Sequence, residues 1–120
     1  CGKRILPKAE TAEEARRCLQ MLSGRSHRVY GGICLYLPDG GWRIKLSVSR
    51  VKFRPLCLAD MHAYLQSGEW EGKAGGYAIQ GRAGLYVRQI TGSYSNIVGL
   101  DMHKVAGLLL GAGFDYVQPE

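Results

Sequence analysis

Pro38-Asp39-Gly40-Gly41 lies between two long stretches rich in β-branched and aromatic residues, and this join constrains the fold more than any other feature. Asp-Gly supplies the positive-φ positions that a tight hairpin needs. Arg28 to Leu37 and Trp42 to Arg54 are therefore expected to be neighbouring antiparallel strands. In the second stretch the apolar residues fall first on even numbers, Trp42, Ile44, Leu46 and Val48, and then on odd numbers, Val51 and Phe53. Successive strand side chains alternate faces, so this switch predicts a bulge near Ser49-Arg50 or a strand that changes the face it buries.

Helices are expected around the hairpin. Thr11-Ala12-Glu13-Glu14 matches a capping box, and Ala15, Cys18, Leu19 and Leu22 then recur on one helical face until Ser23-Gly24. This predicts a helix over 12–22. Leu58, Met61 and Leu65 predict a short helix ended by Gly68. A strand is expected from Ala83 to Ile90. After a Gly92 to Gly99 loop comes a last helix from Met102 to Leu110, with Met102, Val105, Ala106 and Leu109 inward and Pro119 in a short tail. Without repeats or linkers, these elements make one mixed α/β unit over residues 1–120, a twisted sheet with flanking helices.

At 120 residues the chain can bury one core but not two. Its 46% hydrophobic and 22% charged residues are ordinary for a globular protein. No apolar run approaches the roughly 20 residues that span a bilayer, so no membrane partner is expected. Cys1 opens the chain without an initiator Met or a signal-peptide core, which reads as a natural beginning lying upstream. The four cysteines, at positions 1, 18, 34 and 57, form no CxxC pair, which disfavours a structural metal. Cys18 and Cys34 are expected as buried thiols in a reducing cytoplasm. The net charge of +6 favours anionic partners without choosing among them.

The chemistry concentrates in Gly72 to Gly81, GKAGGYAIQG. Its glycines let the backbone approach a ligand closely, Lys73 offers a cation, Tyr77 an aromatic face, and Gln80 an amide able to read a base edge. The spacing is neither a Walker A loop nor a dinucleotide fingerprint. Beside the ligand-binding reading stands a plain turn feeding a strand, with Lys73 solvated and Gln80 tied to backbone.

GEWEGKAGGYAIQG, Glu69 included, resembles the signature block of Maf-like nucleoside triphosphate pyrophosphatases. In order and spacing, ILPKAET from Ile5, LSGRSHRVYGGICL from Leu22, SVSRVKFRPL, Tyr64, Gly68-Glu69 and GSYSNIVGLDMH from Gly92 also resemble that family. The resemblance implies a Maf/ITPase-like fold with its N-terminal part missing. It implies house-cleaning hydrolysis of a nucleoside triphosphate between the α and β phosphates, helped by a divalent cation, Mg2+ or Mn2+, whose ligands here are unknown. Lys8 matches the lysine of the family's I-L-G-K-P segment and takes a phosphate-facing catalytic role, although Pro7 and Ala9 depart from that pattern. Gln80 matches a base-recognising glutamine. GGYAIQG resembles the branch acting on dTTP and UTP, not the branch acting on methylated GTP. Lys73 is assigned phosphate contact, Tyr77 substrate contact, and Glu69 either loop anchoring or a place behind the metal ligands. The family is often dimeric, so a homodimer is an expected partner state.

The family's Ser-x-Ser-Pro-Arg-Arg motif and the Ala-Asp-Thr segment carrying its general base have no counterpart in the chain. A catalytically inactive fragment is therefore one alternative. A basic module binding nucleic acid through Arg50, Lys52 and Arg54 is the other, less favoured because no aromatic platform accompanies the stripe. His27, His62 and His103 show no ligand spacing and are expected in packing or at the surface. Ser93 and Ser95 lack a nucleophile elbow.

Overall fold

The computed structural model describes residues 8–114. The readings that fall on Cys1, Ile5–Pro7 and Pro119 lie outside these residues.

Strand β1 (Lys8–Ala9) leads into helix α1 (Ala12–Leu22). The Thr11 hydroxyl caps α1, accepting from Glu14 N at 3.2 Å, and Ala15, Cys18, Leu19 and Leu22 are its buried stripe. Strands β2 (Ser26–Tyr36) and β3 (Trp42–Phe53) follow. Their connection closes with Leu37 N donating to Gly41 O at 2.8 Å, while Gly40 takes φ 88°, where a Cβ would clash with the backbone. Helix α2 (Leu58–Ser67), strand β4 (Lys73–Ala74), a 3-10 helix (Arg82–Tyr86), strand β5 (Val87–Thr91) and helices α3 (Tyr94–Val98) and α4 (Met102–Gly111) complete the order. β1 pairs with β4, and the larger sheet runs β2-β3-β5.

By contacts the described residues fall into two compact units, 8–28 with 50–91, and 29–49 with 92–114. The first unit packs α1 against β1 and α2. Its core is Ala9, Leu19, Leu22, Val51, Phe53 and Tyr64, all nearly or fully inaccessible. Within it β3 meets β5 antiparallel, Arg50 opposite Thr91 and Val51 opposite Ile90. In the second unit the buried side chains are partly polar. Ser47 Oγ donates to Asp101 Oδ2 at 2.5 Å, and the Asn96 amide donates to Val29 O and Ser49 Oγ, each at 3.1 Å. Asn96 also explains Gly31, where a Cβ would stand 2.1 Å from its Oδ1.

Several expectations are corrected. Burial alternates regularly across Ser49-Arg50, and the register shift in the β3–β5 pairing lies between Lys52 and Phe53. Odd residues from Ser47 to Phe53 are buried, and Trp42, Ile44, Leu46 and Val48 are exposed. The parity switch marks where the inner face passes from serines to apolar residues, because Ser47 and Ser49 find partners in Asp101 and Asn96. The expected strand from Ala83 begins only at Val87, since Gly84 N donates to Gly81 O at 3.0 Å and the chain coils first. Within the expected loop, Ser93 caps α3 by accepting from Asn96 N. Leu58, at 83% exposure, leaves the core to Tyr64, and Met102 is exposed while Leu108 is buried. Cys34 is exposed; Cys18, Cys34 and Cys57 are free thiols, and burial pushes the Cys18 thiol up.

Candidate functional site

Lys8, Glu69, Lys73, Tyr77 and Gln80 all belong to the first unit. The β1–β4 register sets Lys8 opposite Ala74 and Ala9 opposite Lys73. Gly72 N donates to Ala9 O at 2.8 Å, so the glycine-rich segment is bonded to the strand that carries Lys8. Lys8 and Lys73, 65 positions apart, thereby share one short ribbon, and Lys8 is exposed.

Gly76 follows with φ 76°, where a Cβ would rest 3.5 Å from Ala9 Cβ and 3.7 Å from Cys18 Cβ. The left-handed backbone disfavours a side chain there, while the contacts a Cβ would make are ordinary van der Waals ones. The Tyr64 hydroxyl donates to Gly76 O at 2.7 Å, and burial pushes that hydroxyl's pKa upward.

Tyr77 turns inward. Its hydroxyl is hydrogen-bonded to His27 Nε2, and its ring meets Phe53 and His27 edge-on with centroids 5.1 and 5.5 Å away. The ring is thus an anchor for the loop, and its hydroxyl already has a partner. Burial raises the Tyr77 pKa and lowers that of His27 to about 4, so both are neutral at pH 7. Ile79 is buried beyond this cluster, and Gln80 beside it is exposed. The amide expected to read a base is accessible on a segment fixed from beneath.

Lys73 is half-buried, and its Nζ donates to the Glu69 carbonyl at 2.6 Å. One of the ammonium's three donors is so engaged. Glu69 Oε2 accepts from Arg82 N at 2.8 Å, which caps the 3-10 helix and anchors the loop.

His27 is the residue that sequence reasoning assigned only to packing or surface. It lies 50 positions from Tyr77, and nothing in either local sequence announces the pair. The basic stripe is narrower than expected, because Arg54 forms a fork with Asp60 at 2.7 and 3.2 Å and lies over the Tyr86 ring. That guanidinium and the Cys57 amide hold the Asp60 carboxyl far below the usual carboxylate range. Arg50 and Lys52 remain on the sheet face without it.

Among the described residues no three His, Cys, Asp or Glu side chains come together as a metal site, and no helix is long and apolar enough to cross a membrane.

Residues 1–112 match the family model described as Maf-like protein. The chain is 60% identical over 114 residues to a dTTP/UTP pyrophosphatase of Paramagnetospirillum magneticum, covering 95% of the chain and 60% of that relative. It is 57% identical over 113 residues to a dTTP/UTP pyrophosphatase of a Chelativorans species, covering 94% of the chain and 54% of the relative. A Brucella abortus protein of the same description is 54% identical, with the same coverage. The chain thus spans between 54% and 60% of the length of these three relatives.

Proposed function

The chain belongs to the Maf-like protein family, and on that premise we propose that it serves a nucleoside triphosphate pyrophosphatase acting on dTTP and UTP. The reaction releases the nucleoside monophosphate and pyrophosphate. Residues 1–120 act as part of one catalytic domain, supplying base selection and part of the phosphate site.

The β1–β4 pairing carries this reading. It joins the Lys8 strand to the segment that displays Gln80. Lys8 faces the triphosphate, where negative charge accumulates as the α–β bridge breaks and a fixed cation lowers the barrier. Gln80 offers one acceptor and two donor hydrogens to a pyrimidine edge. Lys73 turns a remaining donor to phosphate, and Tyr77 acts beneath the loop, through Gln80.

A divalent ion such as Mg2+ or Mn2+ would neutralise phosphate oxygens in this class of reaction. Residues 8–114 bring no donor set together for it, and the Glu69 carboxylate is engaged by Arg82 N. None of the roles assigned to these side chains passes through a metal. The compartment we assign is the cytoplasm, in keeping with the free thiols of Cys18, Cys34 and Cys57. A second copy of the chain is the further partner, for which the exposed Trp42, Ile44 and Leu46 offer an uncharged surface.

The test is product analysis with the protein at its natural length. Pyrophosphate should appear from dTTP or UTP, and Gln80→Ala should lower the preference for them over GTP by about 10-fold or more. Orthophosphate as the only product would refute the assignment.

A further inference from the structure

Both ends of the selecting segment are bonded to one residue. The Glu69 carbonyl accepts from Lys73 Nζ at 2.6 Å, and its Oε2 accepts from Arg82 N at 2.8 Å. Lys73 is the second residue of the segment, and Arg82 lies two positions beyond Gln80. The 3-10 helix that starts at Arg82 has Gly81 at its N-cap, which has no side chain to satisfy the first amides. Glu69 performs that capping from 13 positions away.

Gly81 is matched to the glutamate by space. Its φ of −95° suits any residue, so backbone freedom does not explain it. A Cβ there would stand 3.2 Å from Glu69 Oε2 and 3.4 Å from the carboxyl carbon. A side chain there would press on the carboxylate, which would have to give by a few tenths of an ångström.

We propose that Glu69 is the positioning residue for base selectivity, holding the Gln80 amide at a set distance from the Lys73 ammonium. The inference rests on the reading of this loop as the pyrimidine-selecting element. Its carbonyl bond to Lys73 is available to any residue at position 69. The bond to Arg82 needs a side-chain acceptor of this length, so selectivity depends on the carboxylate oxygen and not on its charge.

The experiment compares kcat/KM for UTP and GTP in the natural-length protein and three variants. In Glu69→Ala the UTP-over-GTP ratio should fall about 10-fold, the upper end for one lost hydrogen bond, with the loss in KM for UTP. Glu69→Gln keeps an amide oxygen in reach of Arg82 N and should hold the ratio within about 3-fold of wild type. Gly81→Ala presses on the carboxylate from the other side and should lower the ratio in a chain whose Glu69 is intact. It serves as the deciding variant if Glu69→Ala does not fold.

A wild-type ratio in Glu69→Ala or in Gly81→Ala overturns the proposal. So does a Glu69→Gln variant as unselective as Glu69→Ala, because charge would then be the requirement. A wild-type protein with no preference for UTP overturns the pyrimidine reading itself, a separate result from selective wild type with equally selective variants.

Discussion

His27 lies beneath the loop as a neutral ring. Its pKa of about 4 lies below the 6.5 of a free imidazole because burial disfavours the cation. Between those two values the unfolded chain binds the extra proton, so stability rises with pH from 4 to 6.5 and is fully present above 6.5. Allowing for the ring's partial exposure, we expect wild type to lose up to about 2 kcal/mol between pH 7 and pH 4 from this group. Urea midpoints across that range, for wild type and His27→Leu, isolate the contribution. Identical pH slopes in the two proteins would exclude it. Other sites need no tertiary partner to be understood, such as Gly40 in the hairpin turn. The His27–Tyr77 contact does need one, which is why Tyr77 was legible as an aromatic near a ligand and not as an anchor.

Helix α1 was readable at both ends because each determinant is local. Thr11 and Glu14 are three positions apart, and the inward stripe follows the helical period. Removing the cap by Thr11→Ala should lower stability by about 1 kcal/mol, measured as a shift in the urea midpoint at unchanged slope. No measurable shift would show that Glu14 N is satisfied equally well by water. The segment after Gly81 had no such local determinant. Its coil-then-strand course depends on Glu69, 13 positions upstream, and on the pairing of Phe53 with Val87. β3 shows the same limit from the other side. Alternation identified a strand, but Ser47 and Ser49 are inward only because Asp101 and Asn96 meet them.

At the scale of the molecule, Tyr30, Tyr36, Trp42, Ile44, Leu46 and Val48 are large, exposed and uncharged, all in the second unit. An apolar group of this extent marks an interaction surface more often than an isolated exposed leucine does. Trp42 reports on it directly once Trp70, half-buried and bonded to Leu65 O at 3.0 Å, is replaced by phenylalanine. If a second copy covers this face, acrylamide should quench Trp42 freely at low protein concentration and poorly at high concentration. Quenching that does not change with concentration would remove the homodimer from the partners of this face.

The glycine-rich segment with Lys73 and Gln80, the hairpin, the α1 stripe and the family were all determined by the sequence itself. Each rests on residues close together in the chain or on several motifs in fixed order. Tertiary structure alone decided which loop residues stay available. It turned Tyr77 inward to His27, tied Lys73 and the Arg82 amide to Glu69, left Gln80 exposed, and withdrew Arg54 from the basic stripe. The physical reason is common to all four. A side chain's identity states which bonds it can make, but only the partner brought to it by folding determines which bond it does make.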